Sequence, residues 1–371
     1  MIQKLYNNVH RILMTTDTIG GVWTYSLELA RALEPLNIEV VLASMGTLPD
    51  NEQKLQASKI SNISLFESTY KLEWMEDPWL DVFEAGEWLK DLEVLTQPDL
   101  IHLNEYSHGA LDFQAPTLIV GHSCVYSWYS AVKHHEPHMA WNRYKQEVSK
   151  GLKKADLVTA PTEAMLSELK QHYGNFNSGH AIYNSRSVNE FLPKRKEPFI
   201  LSAGRLWDEA KNISNLAYIA PKLKWPVYVA GEKEDPDGRF IDFQGANWLG
   251  RLSGREIAKW MGHASIFALP AKYEPFGLSP LEAALCGCAL VLGDIPSLRE
   301  VWEDTACFVP PEDYQTLFDA LTELIDYPAL RMEIAKKVRK RALYFTPKRM
   351  AENYSSVYNQ LVSHTKKVFW N

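Results

Sequence analysis

Short apolar runs alternate with helix-like stretches along this chain, and the alternation occurs twice. In the first half the apolar runs lie at residues 11–16, 39–44, 100–103, 117–122 and 157–160. In the second half they lie at residues 199–204, 226–231, 248–250, 264–270 and 289–292. Strand–helix alternation of this kind is typical of a parallel, doubly wound sheet. We therefore predict an α/β protein with two Rossmann-like domains that face each other across a cleft.

Length and composition agree with two globular domains. The chain has 371 residues, of which 46% are hydrophobic and 23% are charged, and this length favours two domains of ordinary size. The polar segment 190–198 (EFLPKRKEP) reads as the linker between them. A net charge of −7 and the lack of a long basic tract argue against a nucleic-acid partner.

No apolar run approaches the roughly 20 residues that span a bilayer. Residues 1–14 also lack the apolar core of a signal peptide. The sequence therefore predicts a cytoplasmic protein. The four cysteines have no zinc-ligand spacing, so we expect structural thiols in a reducing compartment. Asp235 and Asp237 form a DxD pair, but aspartates in such a loop commonly serve turns, and we expect no metal and no cofactor.

The most informative segment is residues 273–282 (YEPFGLSPLE), which follows the apolar run 264–270. Ser279 is a good N-cap and Pro280 fits the first helical position, so a helix is predicted to start there and to stop near Gly287. Glu274 then lies on the loop at the carboxyl end of a strand. Glu282 falls in the first turn of the helix.

The backbone N–H groups of Phe276, Gly277 and Leu278 are predicted to point toward this end of the sheet, where α/β proteins bind ligands. The carboxylates of Glu274 and Glu282 would accept hydrogen bonds on either side of this anion site. That arrangement suits a sugar nucleotide, which has phosphate in the middle and hydroxyls at both ends. For Glu282 an alternative stays open, because Ser279 and Glu282 also match a capping box. A double role is also open, in which Glu282 caps the helix in the empty protein and binds the ligand when it arrives.

Further candidate groups lie on other strand–helix loops. Arg205 follows the first strand of the second half, and Lys211 comes six residues later at a helix start. A fixed guanidinium with an ammonium nearby can clamp a pyrophosphate, although two solvated cations are the alternative. The paired Gly20 and Gly21 let the backbone approach an anion, or they form a tight turn. His122 ends the apolar run TLIVGH and has either a ligand-binding or a structural role.

Together these features resemble glycosyltransferase family 4, whose members have the GT-B fold. The resemblance covers nearly the whole chain. It also includes residues 157–165 (LVTAPTEAM), 182–184 (IYN), 231–238 (GEKEDPDG), 249–252 (LGRL) and 345–358. It implies an acceptor-side domain formed by residues 1–190 plus 350–371, with the last helix crossing back. Residues 191–349 would form the nucleotide-sugar donor-binding domain.

The resemblance also implies a role for each site residue. Lys211 and Arg205 would neutralise the diphosphate leaving group, and Glu282 would bind the ribose hydroxyls. Glu274, with the N–H groups of Phe276, Gly277 and Leu278, would hold the donor sugar and the distal phosphate. His122 would contact the sugar near its reacting face. Gly20 and Gly21 would lie by the diphosphate, and the backbone at Arg251 would meet the base. Glu274, His122, Arg205 and Lys211 are thus the expected catalytic residues.

The implied reaction is a metal-independent, retaining hexosyl transfer in polysaccharide or glycoconjugate biosynthesis. A UDP-sugar is the expected donor, with UDP-glucose first, and the acceptor is a glycan or a lipid-linked molecule. The chain departs from the family pattern at residues 102–109 (HLNEYSHG), so the acceptor cannot be identified. A basic segment at residues 133–154, with Trp141 and Tyr144, is either a solvated helix or a contact with the inner face of a membrane. Two alternatives remain: a sugar-nucleotide epimerase of the same fold, and a non-catalytic nucleotide-sugar binder.

Overall fold

The structure is a computed structural model that describes residues 9–235, 238 and 240–368, with the backbone alone for residues 364–368. Its contacts divide the chain into two compact units. The first comprises the described residues up to Ser127, residues 136–184, and those from Pro347 onward. The second comprises residues 128–135 and 185–346. The predicted linker 190–198 lies within the second unit, where the side chain of Phe191 is buried.

The strands and helices follow one another in nearly regular alternation. The strands are β1 (Arg11–Asp17), β2 (Glu39–Met45), β3 (Ile63–Glu67), β4 (Leu100–Leu103), β5 (Thr117–Val120), β6 (Leu157–Ala160), β7 (Gly179–Ala181), β8 (Glu197–Ala203), β9 (Val227–Ala230), β10 (Asn247–Trp248), β11 (Ala264–Leu269), β12 (Ala289–Gly293) and β13 (Cys307–Val309). The helices are α1 (Gly21–Leu33), α2 (Asn51–Ser58), α3 (Trp79–Thr96), α4 (Val125–Lys133), α5 (Asn142–Lys154), α6 (Glu163–Tyr173), α7 (Ile213–Ile219), α8 (Gly254–His263), α9 (Leu278–Leu285), α10 (Pro296–Trp302), α11 (Tyr314–Asp326), α12 (Pro328–Ala342) and α13 (Pro347–Val368).

The first unit is built on a seven-stranded parallel sheet with the order β3-β2-β1-β4-β5-β6-β7. Strand order reverses between β1 and β4, which is the arrangement of a doubly wound sheet. The central strands β1, β4 and β5 are buried on both faces, as expected for a parallel sheet covered by helices on both sides. The terminal helix α13 packs against α1, where Tyr354 and Tyr358 are completely buried.

The second unit has a six-stranded parallel sheet with the order β10-β9-β8-β11-β12-β13. Its strand order reverses between β8 and β11. Every residue of β11 and of β12 is buried, as expected for central strands of a parallel sheet. Both sheets confirm the predicted α/β architecture of two Rossmann-like domains.

The structure corrects several details of the prediction. Three strands have no counterpart in it, because no residue of β3 is fully buried and β7 and β13 have only three residues each. The basic segment 133–154 is not one helix, since α4 ends at Lys133 and α5 begins at Asn142. Tyr144 of α5 is buried rather than outward-facing. Within the described part of the chain, no helix has both the length and the apolar character needed to cross a bilayer.

All four cysteines are described, and all are free thiols. Cys124, Cys286 and Cys288 are buried, and Cys307 is half-buried. Burial raises the pKa of each thiol, that of Cys286 to about 12. A protonated thiol is a poor nucleophile, so this environment agrees with the predicted structural role.

Candidate functional site

The candidate site of the second unit lies on the loops after β8 and β11. These two strands are neighbours at the point where the strand order reverses. In open α/β sheets the usual ligand position is the crevice at the carboxyl ends of the strands where the order reverses. Arg205 and Lys211 follow β8, and Glu274 follows β11. The topology therefore brings together residues that lie more than sixty positions apart in sequence.

Lys211 and Glu274 form the central ion pair of this site. Lys211 Nζ donates a hydrogen bond to Glu274 Oε2 at 2.7 Å, and the two side chains are only 12% and 14% exposed. With water largely excluded, the attraction between them is much stronger than that of a surface pair. Within the pair, the carboxylate neutralises the ammonium.

Arg205 is held by a buried carboxylate, Asp208, that the sequence analysis did not identify. Arg205 Nη2 donates to Asp208 Oδ2 at 2.9 Å, and Asp208 also accepts from the indole of Trp128 and the N–H of Ala210. Burial alone would raise the pKa of Asp208. The charges of Arg205 and Lys211, together with these hydrogen bonds, outweigh burial and lower it. Asp208 is therefore ionised at neutral pH and orients the guanidinium.

Backbone contacts fix the two loops to each other. The N–H of Lys272, two residues before Glu274, donates to the carbonyl of Ala210 at 2.8 Å. Asn212 Nδ2 donates to the Pro270 carbonyl at 2.9 Å. Both contacts link the β8 loop to the β11 loop, so Lys211 and Glu274 are held on a common frame. Such preorganisation is what an electrostatic site requires.

The helix after Glu274 starts earlier than predicted. Its N-cap is Gly277, with φ 92°, and Leu278 is the first helical residue, so the assignment of Ser279 as N-cap and Pro280 as first residue was wrong. Glycine adopts positive φ without steric cost, which allows the chain to turn into the helix two residues sooner. Phe276 faces the interior, where its ring contacts Phe345 edge-on at 5.6 Å. The N–H of Leu278 lies in the first turn, which has no intrahelical acceptors for its donors.

Glu282 forms an ion pair rather than a capping box. No side chain caps α9, and Glu282 Oε1 lies 2.8 Å from Arg186 Nε, with the two side chains 13% and 11% exposed. The guanidinium of Arg186 also stacks on Phe191 at 4.8 Å and reaches Glu190 at 3.3 Å. Glu282 is the fifth residue of the helix, which is too far from the first turn to cap it. Both the capping alternative and the idea of a cap in the empty protein are therefore wrong.

Sequence reasoning missed Arg186. Its only signal is an arginine two residues after the IYN segment at residues 182–184. Nothing local connects it to a glutamate almost a hundred positions later.

Arg251 has an exposed side chain, and its guanidinium lies 3.2 Å from Glu232. The backbone here is more constrained than the side chain. Gly231, with φ 143°, donates its N–H to the Gly250 carbonyl at 2.9 Å, which ties β9 to the LGRL segment. A Cβ at Gly231 would lie 1.8 Å from the carbonyl oxygen of Gly204, so only glycine fits. The loops after β8, β9 and β10 are thereby held close together.

In the first unit, the corresponding reversal of strand order lies between β1 and β4. Gly20 is the N-cap of α1 with φ 86°, and Gly21 is the first residue of that helix. Gly20 and Gly21 therefore place no side chain at the start of α1, where backbone N–H groups can face an anion. Asp17 accepts the N–H of Ile19 at 2.7 Å and shapes the loop.

His122 lies two residues beyond the end of β5 rather than within the strand. Its Nε2 lies 2.8 Å from Asn104 Oδ1, and its ring packs edge-on against Tyr25 with centroids 4.5 Å apart. Burial lowers the pKa of His122 to about 3, so the imidazole is neutral at physiological pH. Asn104 follows β4 and was not identified from the sequence.

The divergent stretch at residues 102–109 supplies internal structure. His102 is completely buried, with Nδ1 2.6 Å from the Tyr358 hydroxyl. His108 is also buried, and its Nδ1 lies 3.0 Å from Glu105 Oε1. Burial alone would lower the pKa of His108, but Glu105 outweighs it and the pKa is raised. These two histidines therefore stabilise the loop after β4.

The DxD pair is only partly within the described chain. Asp237 and Arg239 lie outside the described residues, whereas Asp235 accepts the N–H of Gly238 through its backbone carbonyl at 3.0 Å. This hydrogen bond closes a turn. Among the described residues, no three His, Cys, Asp or Glu side chains are grouped as metal ligands.

Two family models match consecutive parts of the chain. The model for Glycosyltransferase Family 4 matches residues 19–189, and the model for glycosyl transferases group 1 matches residues 185–341. Their junction coincides with the start of the second unit at Ser185. Together the two models cover every strand of both sheets except β1 (Arg11–Asp17).

Curated relatives match over shorter segments. An N,N'-diacetylbacillosaminyl-diphospho-undecaprenol alpha-1,3-N-acetylgalactosaminyltransferase of Campylobacter jejuni is 26% identical over 176 residues, covering 46% of this chain and 46% of that protein. A glycogen synthase of Mycobacterium tuberculosis is 29% identical over 163 residues, covering 40% of this chain and 39% of the synthase. The chain thus matches less than half the length of these relatives.

Solved structures match over nearly the full length. Sucrose-phosphate synthase from Thermosynechococcus elongatus superposes with a TM-score of 0.79 at 18% identity, covering 96% of this chain and 100% of that one. HepE from Anabaena, solved in complex with UDP and glucose, gives a TM-score of 0.72 at 16% identity, covering 95% and 100%. At these identities the similarity establishes the fold.

Proposed function

We propose that this chain is a family 4 glycosyltransferase, which the two family models that match residues 19–189 and 185–341 support, and that it transfers a hexose from a nucleotide sugar to a glycan or lipid-linked acceptor. The transfer proceeds with retention of configuration and without a metal ion. A UDP-sugar is the proposed donor, and UDP-glucose is the first candidate. HepE, which shares the fold, was solved with UDP and glucose, and this supports the choice of donor.

The observation that carries the proposal is the ion pair between Lys211 and Glu274, with Arg205 on the same loop. A diphosphate that enters this crevice offers two anionic groups to the ammonium and the guanidinium. Lys211 then exchanges its carboxylate partner for phosphate oxygens. Glu274 becomes available to accept hydrogen bonds from hydroxyls of the donor sugar. This one exchange of partners thus lets Lys211 bind the diphosphate and Glu274 bind the sugar of the same donor.

The start of α9 adds a third source of positive potential. The N–H groups of Phe276, Gly277 and Leu278 lie just before and at the first residue of the helix, where the helix dipole favours an anion. Glu282, one turn further along, accepts hydrogen bonds from the ribose hydroxyls, and the backbone at Arg251 contacts the base. In the first unit, we assign Gly20 and Gly21 to contacts with the donor phosphates and His122 to a contact with the donor sugar.

During the reaction the bond between the anomeric carbon and the phosphate oxygen breaks, and negative charge grows on the departing diphosphate. Arg205 and Lys211 stabilise that charge as it develops, which is the role a metal has in other enzymes. The acceptor hydroxyl attacks the same face of the sugar, and its proton passes to the departing phosphate oxygen. Retention follows from attack on the face that the leaving group occupied.

The acceptor is proposed from the chemistry of the relatives. The Campylobacter jejuni relative carries undecaprenol diphosphate in its name, and an O-antigen chain mannosyltransferase of Salmonella typhimurium is 26% identical over 159 residues. A lipid-linked acceptor would bring the protein to a membrane surface. Flotation with anionic phospholipid vesicles tests that contact, and absence of the protein from the vesicle fraction would contradict it.

A panel of nucleotide sugars tests the proposed function. Incubation with each donor in EDTA, without and with lipid or glycan acceptors, should give transfer of sugar from one donor. Proton NMR of the product should show the anomeric configuration of the donor. A new sugar nucleotide formed from donor alone would instead identify an epimerase, and binding without any turnover would identify a non-catalytic binder.

A further inference from the structure

Asn104, beside His122, has an amide group whose orientation is determined by its other contacts. Asn104 Nδ2 lies 2.6 Å from the Thr15 carbonyl oxygen and 3.4 Å from Ser26 Oγ. A carbonyl oxygen only accepts, so the atom that faces Thr15 must be the amide nitrogen. The amide oxygen of Asn104 therefore faces His122.

This orientation determines which nitrogen of His122 carries the proton. Asn104 Oδ1 is an acceptor and lies 2.8 Å from His122 Nε2, so Nε2 must donate. Burial lowers the pKa of His122, so the ring carries one proton at neutral pH. Nδ1 is then an unprotonated acceptor, and within the described residues it has no hydrogen-bond partner.

The surroundings hold both side chains in place. The Asn104 N–H donates to Thr15 Oγ1 at 2.8 Å, and Thr15 Oγ1 donates to the buried carboxylate of Glu105 at 2.6 Å. The edge of Tyr25 packs against the His122 ring at an interplanar angle of 68°. The imidazole is therefore fixed in direction as well as in protonation.

We propose that Asn104 is a positioning residue that holds His122 as the Nε2–H tautomer, so that Nδ1 accepts a hydrogen bond from a hydroxyl of the transferred sugar. This inference rests on the proposed function, because it takes the donor sugar as the ligand. A phosphate oxygen is itself an acceptor and gains nothing from an unprotonated nitrogen. The contact therefore selects a hydroxyl-bearing group over a phosphate group, and it makes His122 an acceptor rather than a cation.

Nitrogen NMR of the ligand-free full-length chain tests the tautomer directly. With ¹⁵N-labelled histidine, His122 is assigned among the 11 histidines by comparison with the His122→Gln variant. At neutral pH its Nε2 should show the shift of a protonated nitrogen and its Nδ1 that of an unprotonated one. Asn104→Leu should produce a mixture of tautomers, whereas Ser26→Ala, which keeps the Asn104–His122 contact, should match the wild type. A protonated Nδ1 in the wild type, or an unchanged tautomer in Asn104→Leu, overturns the proposal.

A double-mutant cycle with UDP-glucose tests the consequence for catalysis. One lost hydrogen bond should lower kcat/KM by about tenfold in Asn104→Leu. Combined with His122→Ala, the same substitution should cost nothing further, because its effect acts through the imidazole. Independent, multiplicative losses would show a merely structural role and would overturn the proposal. If no donor supports turnover the proposed function fails, but the NMR measurement still decides the tautomer.

Discussion

At the scale of single residues, the candidate site is made of charged side chains that pair with one another. Lys211 and Glu274 are mostly shielded from water and 2.7 Å apart. Removing one partner leaves the other charge with poor solvation, so we expect substitutions at these positions to lower stability as well as activity. Arg205, which is 39% exposed, depends less on its partner Asp208 for solvation.

Lys211→Ala should lower kcat/KM by roughly 100-fold to 1,000-fold, because a preorganised cation is lost where the leaving-group charge develops. Glu274→Gln should also lower kcat/KM, because the proposed contacts with the donor sugar would weaken. Lys224→Ala is the matched control: Lys224 belongs to the same unit, is 67% exposed and pairs with Asp326 on the surface. Steady-state kinetics with the identified donor provide the measurement. Equal activity of Lys211→Ala and Lys224→Ala would refute the assignment.

Arg186 should matter for the orientation of Glu282. Arg186→Met should reduce the free energy of unfolding by about 1–3 kcal/mol, because the glutamate then loses a poorly exposed partner. It should also weaken binding of nucleoside diphosphates in calorimetric titrations. Adding Glu282→Gln to Arg186→Met should recover part of the stability but not the binding. A variant that binds as tightly as the wild type would show that Arg186 does not support this site.

At the scale of elements, α9 positions the site through its two ends. Gly277 turns the chain into the helix, and Gly287 ends it with φ 79°. At the C-terminus, the Gly287 N–H donates to Ala284 and the Cys288 N–H donates to Ala283, at 2.9 and 3.0 Å. This pair of bonds is a Schellman motif, and it confirms the predicted stop at Gly287.

Gly287→Ala should therefore destabilise the protein by about 1–2 kcal/mol, the cost of a left-handed conformation for a residue with a Cβ. Space is not the cause, because the nearest atom to the added Cβ would be 3.6 Å away. Gly254→Ala is the control, since that glycine opens α8 without a positive φ and has nothing within 4 Å of the added Cβ. Urea denaturation measures both variants. A Gly287→Ala variant as stable as Gly254→Ala would contradict the explanation.

The sequence predicted the elements that carry local signals. The buried strand before Glu274 and the cations after β8 follow from apolar runs and their flanking loops, and parallel strands place their carboxyl ends together. Arg186, Asp208 and Asn104 were missed because their roles arise from contacts that local sequence patterns do not record. The wrong N-cap at Ser279 has a simpler cause: serine is the better cap by propensity, but Gly277 makes the turn first by adopting positive φ.

At the scale of the whole molecule, each unit has its own parallel sheet and its own core, and buried titratable groups couple the first unit's stability to pH. Burial, with a smaller contribution from His122, lowers the pKa of His102 to about 3. The unfolded chain takes up this proton near pH 6.5 and the folded chain does not. The folded state therefore binds fewer protons between these values, and stability falls as the pH falls through this window.

Between pH 7 and pH 5.5, the wild type should lose about 1 kcal/mol more unfolding free energy than His102→Gln, the amount expected for one histidine that stays neutral in the fold. His108, whose pKa is raised, contributes equally in both proteins and cancels in the comparison. Urea titrations at the two pH values give the difference. The same pH dependence in both proteins would show that His102 does not titrate on unfolding.

We propose above all that the second unit binds a nucleoside diphosphate through Lys211 and Arg205. Calorimetric titration in EDTA with UDP, GDP and ADP, and with the corresponding nucleosides, tests it most directly. One diphosphate should bind at least about 100-fold more tightly than its nucleoside, since two charged contacts contribute several kcal/mol. Lys211→Ala should lose most of that difference and Lys224→Ala none of it. Equal affinity for nucleoside and diphosphate, or a full difference retained in Lys211→Ala, would contradict the account.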